Sequence, residues 1–203
     1  MNKVKFQGQD IAPSKVVCIG RNYVEHIAEL ANETPSEPVI FIKPNSAITD
    51  SIVLKGPQAI HYEAEVCYLL CGGAVHGIGF GLDLTKRELQ GQLKSKGLPW
   101  EKAKAFDGSA VFSQFVPYCG DLAELSMKFY IDNELRQTAS FDQMIFKPEV
   151  FLANIQSFMT LQDGDVVMTG TPSGVGPLYL GQELRGQIFA GETLLLEANW
   201  SVA

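Results

Sequence analysis

The chain has 203 residues, 46% of them hydrophobic and 19% charged, which is enough apolar material for one sizeable core, and it carries a net charge of -7. An acidic balance without a long Lys or Arg run excludes the electrostatic footprint of a protein that binds nucleic acid or an anionic membrane. No run of about 18 apolar residues occurs, and the opening "MNKVKFQGQDIAPSK" lacks the apolar stretch of a signal peptide, so one soluble, cytoplasmic domain spanning residues 1–203 and acting on a small molecule is expected.

The first element in chain order is "KVVCIG" (15–20), whose β-branched run predicts a buried strand. "RNYVEHIAELAN" follows as a short helix with Asn22 as its cap, and "ETPSEP" breaks it. "VIFIKP" is a second strand closed by Pro44, and further strands are predicted near 60–71 and 76–84. Thr85-Lys-Arg-Glu88 has the spacing of a capping box opening a helix through about residue 95. "KFYIDNELRQTA" has the alternation and the Asp-Asn turn of a hairpin, while "PEVFLANIQSFM" places Val150, Phe151, Ile155 and Phe158 along a helix face. A strand and the glycine-rich loop "TGTPSGVGP" come next. Many short strands and a few helices make the expected fold α+β and β-dominated, without the strict alternation of a doubly wound sheet. The four cysteines, Cys18, Cys67, Cys71 and Cys119, have no C-x-x-C spacing and lie in apolar runs, so they are expected to be small core residues.

Chemistry enters at "HYEAEV", where Glu63 and Glu65 interrupt an apolar run. Side chains two apart on a strand share a face, so the two carboxylates would lie about 6 to 7 Å apart. Their repulsion at that distance is about 2 to 3 kcal/mol for an effective dielectric near 20. The competing reading is the solvent face of an edge strand. A third carboxylate, Asp83 in "GIGFGLDLT", sits in similarly apolar company, although it could instead cap the following helix. Three converging carboxylates without sulfur ligands suit a hard cation such as Mg2+, Mn2+ or Ca2+.

His26 and Glu29 stand i, i+3 on the first helix, which brings imidazole and carboxylate to one face, as a general base for water requires. An ordinary surface pair has the same spacing. Lys104 lies between Ala103 and Ala105 and could bind a substrate carboxylate or stabilise an enolate, whereas Lys102, beside Glu101, reads as solvated. Lys43 is similarly ambiguous. "TGTPSGVGP" lacks the Gly-Lys-Ser/Thr ending of a P-loop, and "GIGFG" lacks the spacing of a dinucleotide fingerprint.

Taken in order, "GRNYVEHIAEL", "SEPVIFIKP", "HYEAEV", "GFGLDLTKRELQ", "KGLPWEKAKAFDGS" and "VVMTGTPSGVGP" resemble the fumarylacetoacetate hydrolase family, most closely its short acylpyruvase and oxaloacetate decarboxylase members, over residues 15–177. The resemblance implies a β-roll of mixed sheets and a homodimer. It implies Mg2+ or Mn2+ bound by Glu63, Glu65 and Asp83, a His26–Glu29 dyad on a lid segment, and Lys104 in the active site. Gln90 and Thr171 match positions that contact the oxo-acid end of the substrate, and Arg21 and Lys43 complete the expected substrate-binding set. The tail from residue 178 matches the family only loosely. The activity expected first is hydrolysis of a carbon-carbon bond in an acylpyruvate, with water activated by His26 and Glu29 and a pyruvate enolate leaving. Oxaloacetate decarboxylation or keto-enol tautomerisation at the same site is the alternative, and a noncatalytic cation- or oxo-acid-binding protein is the contrasting class.

Overall fold

The structure, a computed structural model, describes residues 1–29 and 35–203, without the side chains of residues 27 and 28. The chain opens with a small hairpin, β1 (Val4–Phe6) and β2 (Gln9–Ile11), and continues into β3 (Lys15–Gly20), α1 (Val24–Glu29), β4 (Val39–Pro44) and β5 (Ile48–Thr49). Then come β6 (Ile60–Tyr62), β7 (Ala64–Cys71), β8 (Ala74–Asp83), β9 (Thr85–Lys86), α2 (Arg87–Ser95) and α3 (Glu101–Lys104). The second half holds β10 (Ala110–Phe112), β11 (Val116–Pro117), β12 (Leu125–Ile131), β13 (Glu134–Ser140), α4 (Pro148–Phe158), β14 (Val166–Met168), β15 (Gly176–Pro177), β16 (Glu183–Ala190) and β17 (Thr193–Ser201).

An eight-stranded mixed sheet in the order β4-β3-β14-β7-β8-β10-β5, with β11 also on β8, forms the centre. β14 runs parallel to β3 and antiparallel to β7, so Val166, Val167 and Met168 face Val16, Val17 and Cys18 on one side and Leu69, Tyr68 and Cys67 on the other. Both sheet faces are covered, which is why these strands read as unbroken apolar runs. One face sends Val17, Ile19, Val66, Tyr68 and Phe80 into the larger core. The opposite face sends Val16, Cys18, Cys67, Leu69 and Phe112 into a smaller one. The alternating glycines of β8 belong to this second face. A Cβ at Gly79 would lie 2.7 Å from the Phe115 ring, and one at Gly81 would lie 2.5 Å from Cys67 Sγ, so only glycine lets those groups approach the strand.

A four-stranded antiparallel sheet, β13-β12-β16-β17, packs onto the larger core, where Phe129 and Trp200 meet Phe80 with ring centroids 5.9 Å apart in each case. Asp132 and Asn133, with φ of 51° and 65°, form the two-residue turn that closes the predicted hairpin. A three-stranded sheet, β15-β6-β9, completes the roll.

Several sequence expectations change. The strand predicted over 60–71 breaks at Glu63, because β6 pairs with β9 and β15 whereas β7 joins the central sheet. Asn22 is not a cap: its side chain donates to Phe146 O (3.1 Å) and Thr169 O (2.9 Å) and accepts from Phe146 N–H (2.8 Å), stitching distant loops together. The end of that helix, predicted near residue 32, lies outside the described residues. The Thr85–Glu88 capping box does not form. α2 begins at Arg87 without a side-chain cap, because the Thr85 hydroxyl is engaged with Lys104 and Asp83 O. That also removes the capping reading of Asp83. On α4 the buried face is Phe151 and Ile155, while Val150 and Phe158 are exposed. Cys18 and Cys67 are buried as expected, but Cys71 and Cys119 are exposed at strand ends and turns. The tail after residue 178 forms the β16–β17 hairpin.

Candidate active site

The acidic trio converges at one end of the second face of the central sheet. Glu65 is on the first turn of pleat in β7, Asp83 ends β8, and Glu63 sits at the crossing from β6 to β7, where Asp83 N–H donates to Glu63 O at 2.9 Å. All three are buried, and each offers an oxygen within 4.8 Å of the others, closer than strand spacing alone predicts. The β14–β7 ladder stops at Met168–Cys67, and hydroxyls take over from there: Thr169 Oγ1 donates to Val66 O and Thr171 Oγ1 to Ala64 O, both at 2.9 Å. Gln137, also buried, accepts from Ala64 N–H and donates to Thr171 Oγ1, which locks the loop against the start of β7.

Cations neutralise the trio. Lys104 Nζ lies 2.8 Å from Glu63 Oε2, 2.7 Å from Asp83 Oδ2 and 2.6 Å from Thr85 Oγ1. Burial works against its charge, but Asp83 and Glu63 more than offset this and raise its pKa. Arg87 pairs with Glu63 through Nη2 and donates through Nη1 to Gln90 Oε1 at 2.8 Å. Burial likewise opposes ionisation of Glu63, yet Lys104 and Arg87 hold it below the ordinary carboxylate range. Glu65 has one strong partner, Gly170 N–H at 2.6 Å, so burial and then the Asp83 and Glu63 charges push it well up. Lys43 stands 2.8 Å from Asp83 Oδ1, but its hydrogens go to Lys104 O, Ser109 O and Ser109 Oγ. Asp83 Oδ1 is therefore buried in ion-pair contact without a hydrogen bond of its own.

The cavity above the trio is lined by Arg21, His26, Gln90, Lys104 and Thr171 among the residues expected from sequence, while Lys43 lies behind Asp83 and Glu29 beside the opening. His26 Nδ1 is 3.2 Å from Glu29 Oε2. Burial lowers the pKa of His26, against the pull of Glu63 and Glu29. α1 is docked on the glycine-rich loop: Gly174 N–H donates to both Glu29 oxygens at 3.1 and 3.3 Å, and Ser173 Oγ donates to Glu25 at 3.1 Å.

Residues 15–199 match the profile of the fumarylacetoacetate (FAA) hydrolase C-terminal family. The chain is 42% identical over 196 residues to the oxaloacetate tautomerase YcgM of Escherichia coli K12, covering 86% of this chain and 88% of that protein. The chain belongs to the fumarylacetoacetate hydrolase family. Among solved structures, a candidate fumarylacetoacetate isomerase/hydrolase from Oleispira antarctica superposes with a TM-score of 0.95 at 32% identity, over all of both chains. The fumarylpyruvate hydrolase of Pseudomonas aeruginosa, solved with Mn2+ and pyruvate, superposes with a TM-score of 0.89 at 29% identity, over 100% of this chain and 97% of that one. The β-roll of mixed sheets implied by the motifs is thus the fold, and the chain is an enzyme of this family rather than a noncatalytic binder.

Within the family frame, the donor set fits a hard divalent cation. The ligand atoms are all oxygen, Asp83 Oδ1 has no hydrogen bond, and Glu65 resists a bare charge that a cation would stabilise. Sequence reasoning missed Arg87, Lys94 and Trp100, all of which line the cavity. Arg87, Gln90 and Lys94 recur at i, i+3 and i+7, a helical stripe that could have flagged them.

Proposed function

We propose that the protein is a Mg2+- or Mn2+-dependent oxaloacetate tautomerase, interconverting the keto and enol forms of this four-carbon 2-oxo diacid. Charge carries the reading. Glu63 and Asp83 contact Lys43, Arg87 and Lys104, and Arg21 and Lys94 line the same cavity, so a divalent cation held by Glu63, Glu65 and Asp83 would leave the site with an excess of positive charge that complements a dianion. Similarity to an oxaloacetate tautomerase supports the same substrate and ranks it above the acylpyruvate hydrolysis that the motifs suggest first. Hydrolysis remains the second reading, favoured by the pyruvate and Mn2+ held by the fumarylpyruvate hydrolase neighbour. The family resemblance also supports one catalytic domain over residues 1–203, a homodimer and a cytoplasmic location; no helix among the described residues is long and apolar enough to cross a membrane.

Glu63, Glu65 and Asp83 would hold the cation, which when bound supplies a Lewis acid for the oxygens of the 2-oxo acid. His26 is kept neutral by burial, and Glu29 at Nδ1 fixes the tautomer that leaves Nε2 as the base. His26 takes a proton from C3. The C–H electron pair becomes the C2–C3 double bond, the carbonyl pair moves onto the C2 oxygen, and the Lys104 ammonium stabilises that charge. Return of the proton to this oxygen completes the isomerisation, and no water is consumed. In the second reading His26 would instead deprotonate water.

Purified protein with Mg2+ is offered oxaloacetate, acetylpyruvate and fumarylpyruvate, beside a chelator control. Acceleration of the ultraviolet decay of enol oxaloacetate is expected; acylpyruvate cleavage without that acceleration would install the second reading. His26→Ala should cost about 10² to 10⁴-fold in rate and leave Mg2+ affinity by calorimetry nearly unchanged; undiminished turnover removes His26 as the base. Because the base acts unprotonated, the rate should rise with pH through the pKa of His26, and burial sets that limb below the ordinary histidine value of about 6.5.

A further inference from the structure

We propose that Gln137, which reaches in from the outer sheet, is a positioning residue that sets the cation ligands and the His26–Glu29 dyad in one register, an inference that rests on the cation-and-base reading above. The residue is 2% exposed, and its amide oxygen and both amide N–H groups are engaged. Oε1 accepts from Ala64 N–H at 3.0 Å, while Nε2 donates to Thr171 Oγ1 and to Pro172 O, both at 2.9 Å. Ala64 stands between Glu63 and Glu65, so the amide grips the backbone between two of the three carboxylates. On its other side it grips the glycine-rich loop, whose Gly170 N–H donates to Glu65 Oε2 at 2.6 Å and whose Gly174 N–H donates to both oxygens of Glu29. One side chain thereby joins a cation ligand, the loop that bonds it and the partner of the base.

The backbone of β13 is shaped for this contact. Gln137 pairs with Phe129 and Leu135 with Tyr130, which leaves Arg136 unpaired as a β-bulge in an edge strand. Regular alternation from Ala139 and Gln137 would turn Leu135 inward as well, but past the bulge Leu135 is 53% exposed. At the bulge, Arg136 O approaches the loop so closely that a Cβ on Gly174 would lie 2.2 Å from it, and Gly174 holds a φ of 97°. Two neighbouring residues of β13 therefore brace the loop, one at Pro172 and one at Gly174. A buried amide requires only that it be hydrogen-bonded. Partners that flank a cation ligand on one side and lead to Glu29 on the other go beyond that requirement.

Calorimetric titration of the chelator-treated protein with Mg2+ tests the brace, because the stoichiometry counts folded molecules whereas the dissociation constant does not depend on them. Gln137→Met, of nearly the same length without the amide, should weaken Mg2+ binding by about 10- to 100-fold. Gln137→Asn, which keeps the amide one methylene short, should do likewise. With oxaloacetate at saturating Mg2+, kcat should still fall by about tenfold in both variants, since the anchor of Glu29 is loosened too. The proposal is overturned if either folded variant keeps the wild-type dissociation constant, if saturating Mg2+ restores kcat in full, or if the wild type binds no Mg2+. Should neither variant fold, hydrogen exchange in the wild-type protein decides. Mg2+ should slow exchange at Ala64, Gly170 and Gly174 together, and slowing confined to Gly170 overturns the coupling. Metal affinity is read apart from turnover. A protein that binds Mg2+, loses affinity in Gln137→Met and leaves enol oxaloacetate untouched would retain the brace, with Gly174 exchange standing in for kcat, and remove only the tautomerase reading.

Discussion

β7 and β12 are strands of eight and seven residues in adjoining sheets, yet they treat charge in opposite ways. β12 alternates strictly, with Leu125, Met127, Phe129 and Ile131 in the core and Lys128 facing out. Its charge has water beside it and says only which face is wet. β7 is buried from Ala64 to Leu70, so Glu65 has no solvent side and every charge near it requires a partner. A carboxylate is therefore informative in the central sheet and nearly silent in the outer one.

Asp83→Asn should break the inner arrangement most severely. Lys104 and Lys43 both converge on that carboxylate, and removing it leaves two buried ammonium groups undercompensated. Loss of one partner from a buried ion pair costs about 3 to 5 kcal/mol, to be read by urea unfolding with a chelator present. Mg2+ affinity should fall by more than about 100-fold in the same variant. Wild-type stability and affinity in Asp83→Asn would contradict the convergence.

Phe129→Ala sharpens the comparison from the outer sheet. Phe129 is fully buried and meets Tyr62 and Phe80 with centroids 5.2 and 5.9 Å away. The cavity should cost about 3 to 5 kcal/mol, comparable to the Asp83 variant, but the folded fraction should keep its Mg2+ affinity. Equal damage to stability with opposite effects on metal binding separates packing from site.

Asp165→Asn tests a buried charge outside the site. Asp165 Oδ1 accepts from Ser14 N–H, Ser14 Oγ and Lys15 N–H at 3.0, 2.7 and 3.2 Å, and Oδ2 from Gln162 N–H at 2.9 Å, while Lys15 pairs with it. Burial opposes its ionisation, but the Lys15, Gln162 and Ser14 bonds prevail and lower its pKa. A depressed carboxylate adds stability that is complete above the unfolded value of about 4 and is lost as pH falls through the folded value. The substitution should cost about 1 to 3 kcal/mol at neutral pH, and the deficit should shrink on acidification in parallel urea titrations.

The convergence of Glu63, Glu65 and Asp83 was more legible than the fold around it. Each of these charges stands in an apolar run, whereas Lys104, ambiguous between its flanking alanines, joined the candidate set through the family resemblance. Short strands such as β5, β10 and β11 carry two or three residues each, too few for a period to show. Thr85 misled because a hydroxyl with a glutamate three residues on suits a cap, whereas the buried Lys104 ammonium competes for the same oxygen. The break at Glu63 was hidden because a strand that changes sheets keeps its apolar character on both sides of the crossing.

The smallest expected effect concerns α4, where periodicity gave the right helix and half of the wrong face. Phe151 is fully buried and its ring stacks on Tyr68 at 6.4 Å, whereas Phe158, two turns later, is 60% exposed. Seven residues at about 100° each return to within about 20° of the same direction, so angle alone cannot separate them. Phe158 is the last residue of the helix, beyond its last buried position at Ile155. Phe158→Ala should therefore shift stability by no more than about 0.5 kcal/mol, while Phe151→Ala should cost about 3 to 5 kcal/mol. Similar melting temperatures for the two variants would mean that α4 docks along its whole length, as the periodicity alone suggests.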